Sequence, residues 1–129
     1  MTIVGLGMDA TEIPRIADML QRYGDRFLER VFTPQEIAYC MRRHNPAPHL
    51  AGRFAAKEAG MKAIGTGHSR GVLWKDVEVV RAAGGPPQLH FHNEAARHFA
   101  RLGGTRALLT ITHTNELALA HVILIGEAR

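Results

Sequence analysis

A single cysteine in 129 residues, Cys40, excludes an intrachain disulfide framework. It fits a reducing compartment and reads as a buried neutral thiol rather than a nucleophile. Aromatic residues are scarce at 6%. That scarcity, with no basic cluster and no nucleic-acid motif, argues against a base-stacking surface. Long hydrophobic runs are also missing. Ile3 to Met8 is apolar but is cut short by Asp9, lacks a basic start and carries no cleavage site. Leu117 to Ile125 is interrupted by His121 and is too short to span a bilayer. No membrane segment is expected, and the cytoplasm is the default location.

What is present describes an ordinary globular chain. Hydrophobic residues make up 46%, and mean hydropathy is close to zero, which excludes disorder on composition. The length allows one domain over residues 1–129 with a substantial core. A formal net charge of +4 and a sequence pI near 9.8 favour an anionic partner: nucleic acid, a phosphorylated ligand or an acidic protein.

The chain opens on a strand, Ile3 to Asp9, whose Gly5 and Gly7 allow another backbone to approach. Asp9 ends it, and Thr11 serves as N-cap for a helix to about Tyr23, closed by Gly24. Ile13, Ile16, Ala17 and Leu20 form its inward stripe, while Arg15 and Arg22 share another side, partly offset by Asp18. Asp25 caps a short segment to Val31. Thr33-Pro34-Gln35-Glu36 is a capping box with proline at the first helical position. That helix runs to about Arg43, and His44 to Pro48 forms a loop. Beyond the next helix, Asp76 to Arg81 and Gln88 to His92 alternate as paired strands about Gly84-Gly85-Pro86-Pro87. Asn93 caps a helix to Leu102, and strands Arg106 to Thr112 and Leu117 to Ile125 finish the chain. Helices and strands fall in blocks, which predicts an α+β fold with a largely antiparallel sheet packed against helices.

The central stretch, Ala51 to Gly67, carries the densest chemistry. It is Ala-rich, nearly free of β-branched residues, and stops at Gly65-Thr66-Gly67. An advance of ~100° per residue puts Glu58 and Lys62 on one face among Leu50, Phe54, Ala55 and Met61, with Arg53 and Lys57 on a different side. The pair is either a partly buried structural ion pair or the charged lining of a site. Asp9 supplies a second carboxylate at a strand end. Two carboxylates from separate elements, with Lys62 beside one, suit magnesium held by few protein ligands plus phosphate oxygens. The eight histidines raise a transition-metal reading, but His90 and His92 lack a third ligand at a recognisable spacing. His113 opens a polar turn with Thr114. Gly65-Thr66-Gly67 follows a helix rather than preceding one, so it is a C-cap and not a P-loop.

Four blocks in order resemble the holo-acyl-carrier-protein synthases. Gly7-Met8-Asp9-Ala10-Thr11-Glu12-Ile13-Pro14-Arg15-Ile16 is similar to that family's opening pattern. Arg53 to Ala59, with Lys62-Ala63 and Gly65-Thr66-Gly67, is similar to its central motif. Trp74 to Val79 and Thr110-Ile111-Thr112-His113-Thr114 match its later blocks. Two positions depart from the pattern. Thr112 replaces the usual serine, and Asn93 stands where glycine is common, a change that left-handed backbone angles allow.

The resemblance implies a 4'-phosphopantetheinyl transferase. Such an enzyme moves the phosphopantetheine arm of coenzyme A to a serine of acyl carrier protein and releases adenosine 3',5'-bisphosphate. It implies Mg2+ held by Asp9 and Glu58, with Glu58 also accepting the serine proton directly or through water. Lys62 would neutralise diphosphate charge, and Arg53, His113 and Thr114 would grip the nucleotide's phosphates. Arg15 and Arg22 become a docking face for an acidic carrier protein. A homotrimer with active sites between subunits is implied as well. On this reading the Glu58–Lys62 face is half of a metal–diphosphate site. Two readings compete with it: a magnesium-dependent phosphohydrolase using the same carboxylates, and a basic nucleic-acid-binding module motivated by the pI.

Overall fold

Helix α4 (Pro46–Ala63) is the axis of the molecule, buried on nearly every side. The structure is a computed structural model that describes residues 1–127. Before α4 come β1 (Thr2–Glu12), α1 (Ile13–Tyr23), α2 (Asp25–Val31) and α3 (Pro34–Met41). After it come a 3-10 turn (Trp74–Asp76), β2 (Val77–Arg81), β3 (Pro87–Phe91), α5 (Asn93–Arg101), β4 (Gly104–His113) and β5 (Leu117–Gly126). The strands form an antiparallel three-stranded sheet in the order β1-β5-β4 and an antiparallel β2-β3 pair. The expected α+β class and antiparallel pairing hold.

Small residues explain how a helix can sit inside the molecule. Ala51, Ala55, Ala56, Ala59 and Ala63 are buried along α4 and let neighbouring backbones close in. The approach of β1 is the tightest. A Cβ on Gly7 would fall on the carbonyl oxygen of Ala59, and one on Gly5 would fall on that of Ala63. The two glycines therefore seat the strand directly on the helix backbone, as their sequence positions suggested.

Several boundaries differ from expectation. β1 does not end at Asp9; it continues to Glu12, with Ala10 opposite Leu119 and Thr11 opposite Ala118. Thr11 caps nothing, because its backbone is spent in the ladder, and Glu12 takes the N-cap position of α1 without a side-chain cap. Ala17 faces solvent, so the inward side of α1 rests on Ile13 and Ile16. α4 begins at Pro46, inside the expected loop, with proline at its first turn. The capping box of α3 forms in full: Thr33 Oγ1 accepts from Glu36 N at 3.3 Å and Glu36 Oε1 accepts from Thr33 N at 2.8 Å. Asn93 adopts φ 52° at the start of α5, and its Nδ2 donates to Asp76 Oδ1 at 3.0 Å.

The side of α4 that carries Lys57 holds the deepest ion pair. Lys57 and Glu36 are both fully buried, with Nζ to Oε1 at 2.7 Å. Lys57 also donates to the carbonyls of Val77 at 2.7 Å and Trp74 at 3.1 Å, while Glu36 Oε2 accepts from Val79 N at 2.9 Å. Burial pulls the Lys57 ammonium below its ordinary range, opposed by Glu36. This closed network ties α3, α4 and β2 together and uses its donors and acceptors internally. Cys40 is buried, and desolvation pushes its thiol up to about 11, which makes it the inert thiol its isolation suggested.

Candidate active site

Asp9 points from β1 toward α4, and the glycine contact two residues earlier sets how near it comes. The Glu58 carboxyl lies within hydrogen-bond reach of it. Lys62, one turn beyond Glu58, donates from Nζ to Asp9 Oδ1 at 2.7 Å and to the Met8 carbonyl at 3.1 Å. The sequence spacing had paired Lys62 with Glu58, whereas its ion pair is with Asp9. Lys62 is also more exposed than a residue on an inward face should be. The reason is that β1 covers only part of α4, leaving the far end of the Lys62 side chain at the rim.

Electrostatics mark the pair of carboxylates. Partial burial first, and then the neighbouring Asp9, raise the Glu58 carboxyl from 4.5 to about 7, with Lys62 and Arg15 opposing. The hydrogen bond from Lys62 to Asp9 raises the Lys62 ammonium. Two close carboxylates that one ammonium does not neutralise form a cation-seeking site. Among the described residues no group of three or more His, Cys, Asp and Glu comes together as a metal cage. Two carboxylates at the partly exposed β1–α4 seam fit the needs of Mg2+, which takes few protein oxygens and completes its shell from water and phosphate.

Arg53 belongs to a different place. It lies five residues before Glu58, which is about 140° around the helix. Only 5% of it is exposed, and its Nε has no hydrogen-bond partner. Its guanidinium carbon sits 4.1 Å from the centroid of the Tyr39 ring, as does that of Arg43. Arg53 lines a cavity of about 290 Å³ together with Tyr39, Arg42 and Arg81. His49 lies nearby and is held below its ordinary range by burial first, then by Arg53, Arg43, His113 and Arg81. Among the described residues none of these arginines forms a salt bridge with a carboxylate. Tyr39, Arg42, His49 and Arg81 carried no sequence signal, since they come from separate elements with ordinary local spacing.

His113 ends β4 and is exposed, with Nδ1 3.1 Å from the Thr114 carbonyl. Thr114 Oγ1 accepts from the amides of Glu116 at 3.2 Å and Leu117 at 3.0 Å, which shapes the β4–β5 turn. The expected site residues thus fall into two groups. Asp9, Glu58 and Lys62, with Arg15 beside them, form one; Arg53 and His113 border the other. Arg15 and Arg22 are both exposed on α1, and Arg22 Nε bonds Asp18 Oδ1 at 3.1 Å. His90 and His92 meet no metal-like cluster: His90 is 3.4 Å from Gln88, and His92 Nε2 is 2.9 Å from Glu78.

Residues 5–120 match the sequence profile of the 4'-phosphopantetheinyl transferase superfamily. The chain is 54% identical over 122 residues to the holo-[acyl-carrier-protein] synthase of Koribacter versatilis, covering 95% of this chain and 98% of that one. The chain belongs to the holo-acyl-carrier-protein synthase family. A second relative in the family, from Solibacter usitatus, is 52% identical over the same shares of each chain. The synthase structure from Neisseria meningitidis superposes with a TM-score of 0.86 at 30% identity, over 96% of this chain and 99% of that one. That from Bacillus anthracis, solved in complex with CoA (3',5'-ADP), gives 0.80 at 35% identity over 98% and 100%. Membership of the synthases makes the chain an enzyme, a phosphopantetheinyl transferase. Neither the phosphohydrolase nor the nucleic-acid reading is favoured by these likenesses. Among the described residues no helix is long and apolar enough to cross a membrane.

Proposed function

We propose that the enzyme transfers the 4'-phosphopantetheine arm of coenzyme A to a serine hydroxyl of an acidic acyl carrier protein in the cytoplasm, releasing adenosine 3',5'-bisphosphate. The observation that carries this is the contact of Asp9 with Glu58 and Lys62 across the β1–α4 seam. Asp9 and Glu58 would hold Mg2+, which when bound would supply positive charge to the diphosphate, whose bridging P–O bond is the one that breaks. Lys62 neutralises the same oxygens from the rim. The serine oxygen attacks the pantetheine-side phosphorus, its proton passes to Glu58 directly or through water, and the nucleotide phosphate leaves with the bonding electron pair. Arg15 and Arg22 on the exposed side of α1 would receive the acidic carrier, Arg15 nearest the reacting groups.

The nucleotide's phosphates need a cationic cradle, and Arg53 with Arg42 and Arg81 offers one beside His113 and Thr114. A single protomer holds this cradle on the far side of α4 from the carboxylates, so one chain makes two half-sites. A second copy resolves the separation. The outer face of the three-stranded sheet is apolar and uncovered: Ile3, Leu6 and Met8 are 60%, 59% and 62% exposed. Their cross-strand partners Ile125 and Ile123 continue the patch. Burying three such faces against one another gives a homotrimer in which the carboxylates of one subunit meet the cradle of the next.

The test is mass spectrometry of apo carrier protein incubated with enzyme, coenzyme A and magnesium. The carrier should gain the mass of the arm; release of nucleotide without carrier modification would overturn the reading. Sharing of sites is tested by mixing inactive Glu58→Gln and Arg53→Gln chains after dissociation and reassembly. A shared site restores about a quarter of wild-type activity in an equimolar mixture, and no recovery would place each site within one chain.

A further inference from the structure

The exposed apolar face has one ionisable group at its centre. His121 occupies the middle of the middle strand, between Met8 of β1 and Thr110 of β4, with Leu119 and Ile123 along its own strand. It is exposed in the single chain. We infer that His121 makes the assembly of this enzyme pH-sensitive, holding the subunits together when neutral and parting them when protonated. The inference rests on the homotrimer proposed above.

Among the described residues the cross-strand surroundings of His121 contain no counter-charge. β1 offers Met8, with Leu6 and Ala10 diagonal to it, and β4 offers Thr110, with Leu108 and Thr112. On β5 itself the same-face neighbours are apolar. The charged groups of this face stand at its two ends: Glu12 opposite Leu117, and Arg106 opposite Ile125. α4 lies against the opposite face of the sheet and presents nothing here. The same face of a further copy brings the same set of groups. A residue at the centre of a face that closes about a threefold axis lies on or near that axis, so three imidazoles converge. Three neutral rings can satisfy one another, since each has one donor and one acceptor. A protonated ring has two donors and no acceptor, and it is a charge that burial desolvates without an acid nearby.

The sign follows from proton linkage. An imidazole in water takes up its proton near pH 6.5. The separated subunits bind protons that the assembled core must release, so association weakens as pH falls.

Sedimentation equilibrium on the untagged enzyme at fixed ionic strength, across a dilution series at pH 8 and pH 5.5, reads this directly. The expected result is a trimer at pH 8 that dissociates on dilution at pH 5.5. His121→Gln should remain trimeric with little pH dependence, and His121→Thr should lose the dependence too. Circular dichroism on both variants registers the fold independently of assembly. His113→Gln, at the edge of the proposed subunit contact, should retain the wild-type response. A wild-type trimer equally tight at both pH values overturns the inference alone, as does a response that disappears in His113→Gln and survives in His121→Gln. The lack of any trimer at pH 8 overturns the assembly reading and the inference with it.

Discussion

Replacing Glu58 with glutamine should make the metal-free enzyme more stable while nearly abolishing turnover. The Glu58 carboxyl is raised from 4.5 to about 7 by partial burial and by Asp9. The folded state therefore keeps a proton that the unfolded chain has lost, and stability falls as pH rises through that window. At ~1.4 kcal/mol per tenfold the shift caps the penalty at about 3 kcal/mol, and solvent screening of a half-buried group reduces it to about 1–2 kcal/mol. Glutamine carries no charge to repel Asp9 and can donate to it. Urea unfolding with chelator present, at equal protomer concentration, should show little difference between variant and wild type near pH 4.5. By about pH 8.5 the variant should be ahead by about 1–2 kcal/mol. Added magnesium should raise the midpoint of the wild type and leave that of the variant nearly unchanged. A stability difference that is constant across pH would refute the carboxylate contact, and a variant with wild-type rate would remove Glu58 from the chemistry.

Gly7→Ala places a methyl group on the Ala59 carbonyl, and should cost about 3 kcal/mol in denaturant unfolding. It should also lower kcat at temperatures where the variant is fully folded, because Asp9 moves off Glu58 with the strand. Lys57→Met leaves Glu36 charged and buried, and should cost about 3–5 kcal/mol, partly recovered by adding Glu36→Gln. A cost below about 1 kcal/mol, read from urea midpoints, would deny the pair its structural weight. Arg22→Glu should raise KM for carrier protein, more at low salt than at high, with KM for coenzyme A unchanged. Arg15→Glu should alter kcat as well, since Arg15 acts on Glu58; steady-state kinetics on both substrates separates the two variants.

The sequence was most legible where the signal is local. Thr33 and Glu36 announce a helix start through bonds within four residues, and the box forms as expected. Gly5 and Gly7 marked a close backbone approach, although not which backbone. Asn93 was readable for its positive φ but not as the helix cap, because His92 holds the N-cap position and Asn93 is the first residue of α5. The strand end was misread because a threonine caps helices well, yet pairing of Thr11 with Ala118 on β5 outweighed that local preference. Periodicity placed Lys57 away from the Glu58 face but did not reach its burial against Glu36, because α4 has almost no solvent-facing side and the partner lies on another helix. The carboxylate contact joins residues from elements far apart in sequence, and the arginines around Tyr39 come from α3, α4 and β2. No spacing rule reaches across such distances, and the family pattern supplied for Asp9 and Glu58 what periodicity could not.

The seating of β1 on α4 has a mechanical consequence. Where Gly7 meets Ala59 and Gly5 meets Ala63, the contact is main chain against main chain. Side chains can change rotamer, but the two glycines have none to change. The strand and helix act as a fixed ruler whose graduation is the peptide backbone, and Asp9 and Glu58 are read off it at a set separation. Repacking elsewhere in the core can raise or lower the stability of the whole without altering that gauge. The spacing of the two carboxylates is thus insulated from most of the sequence and exposed to change at only a few small residues.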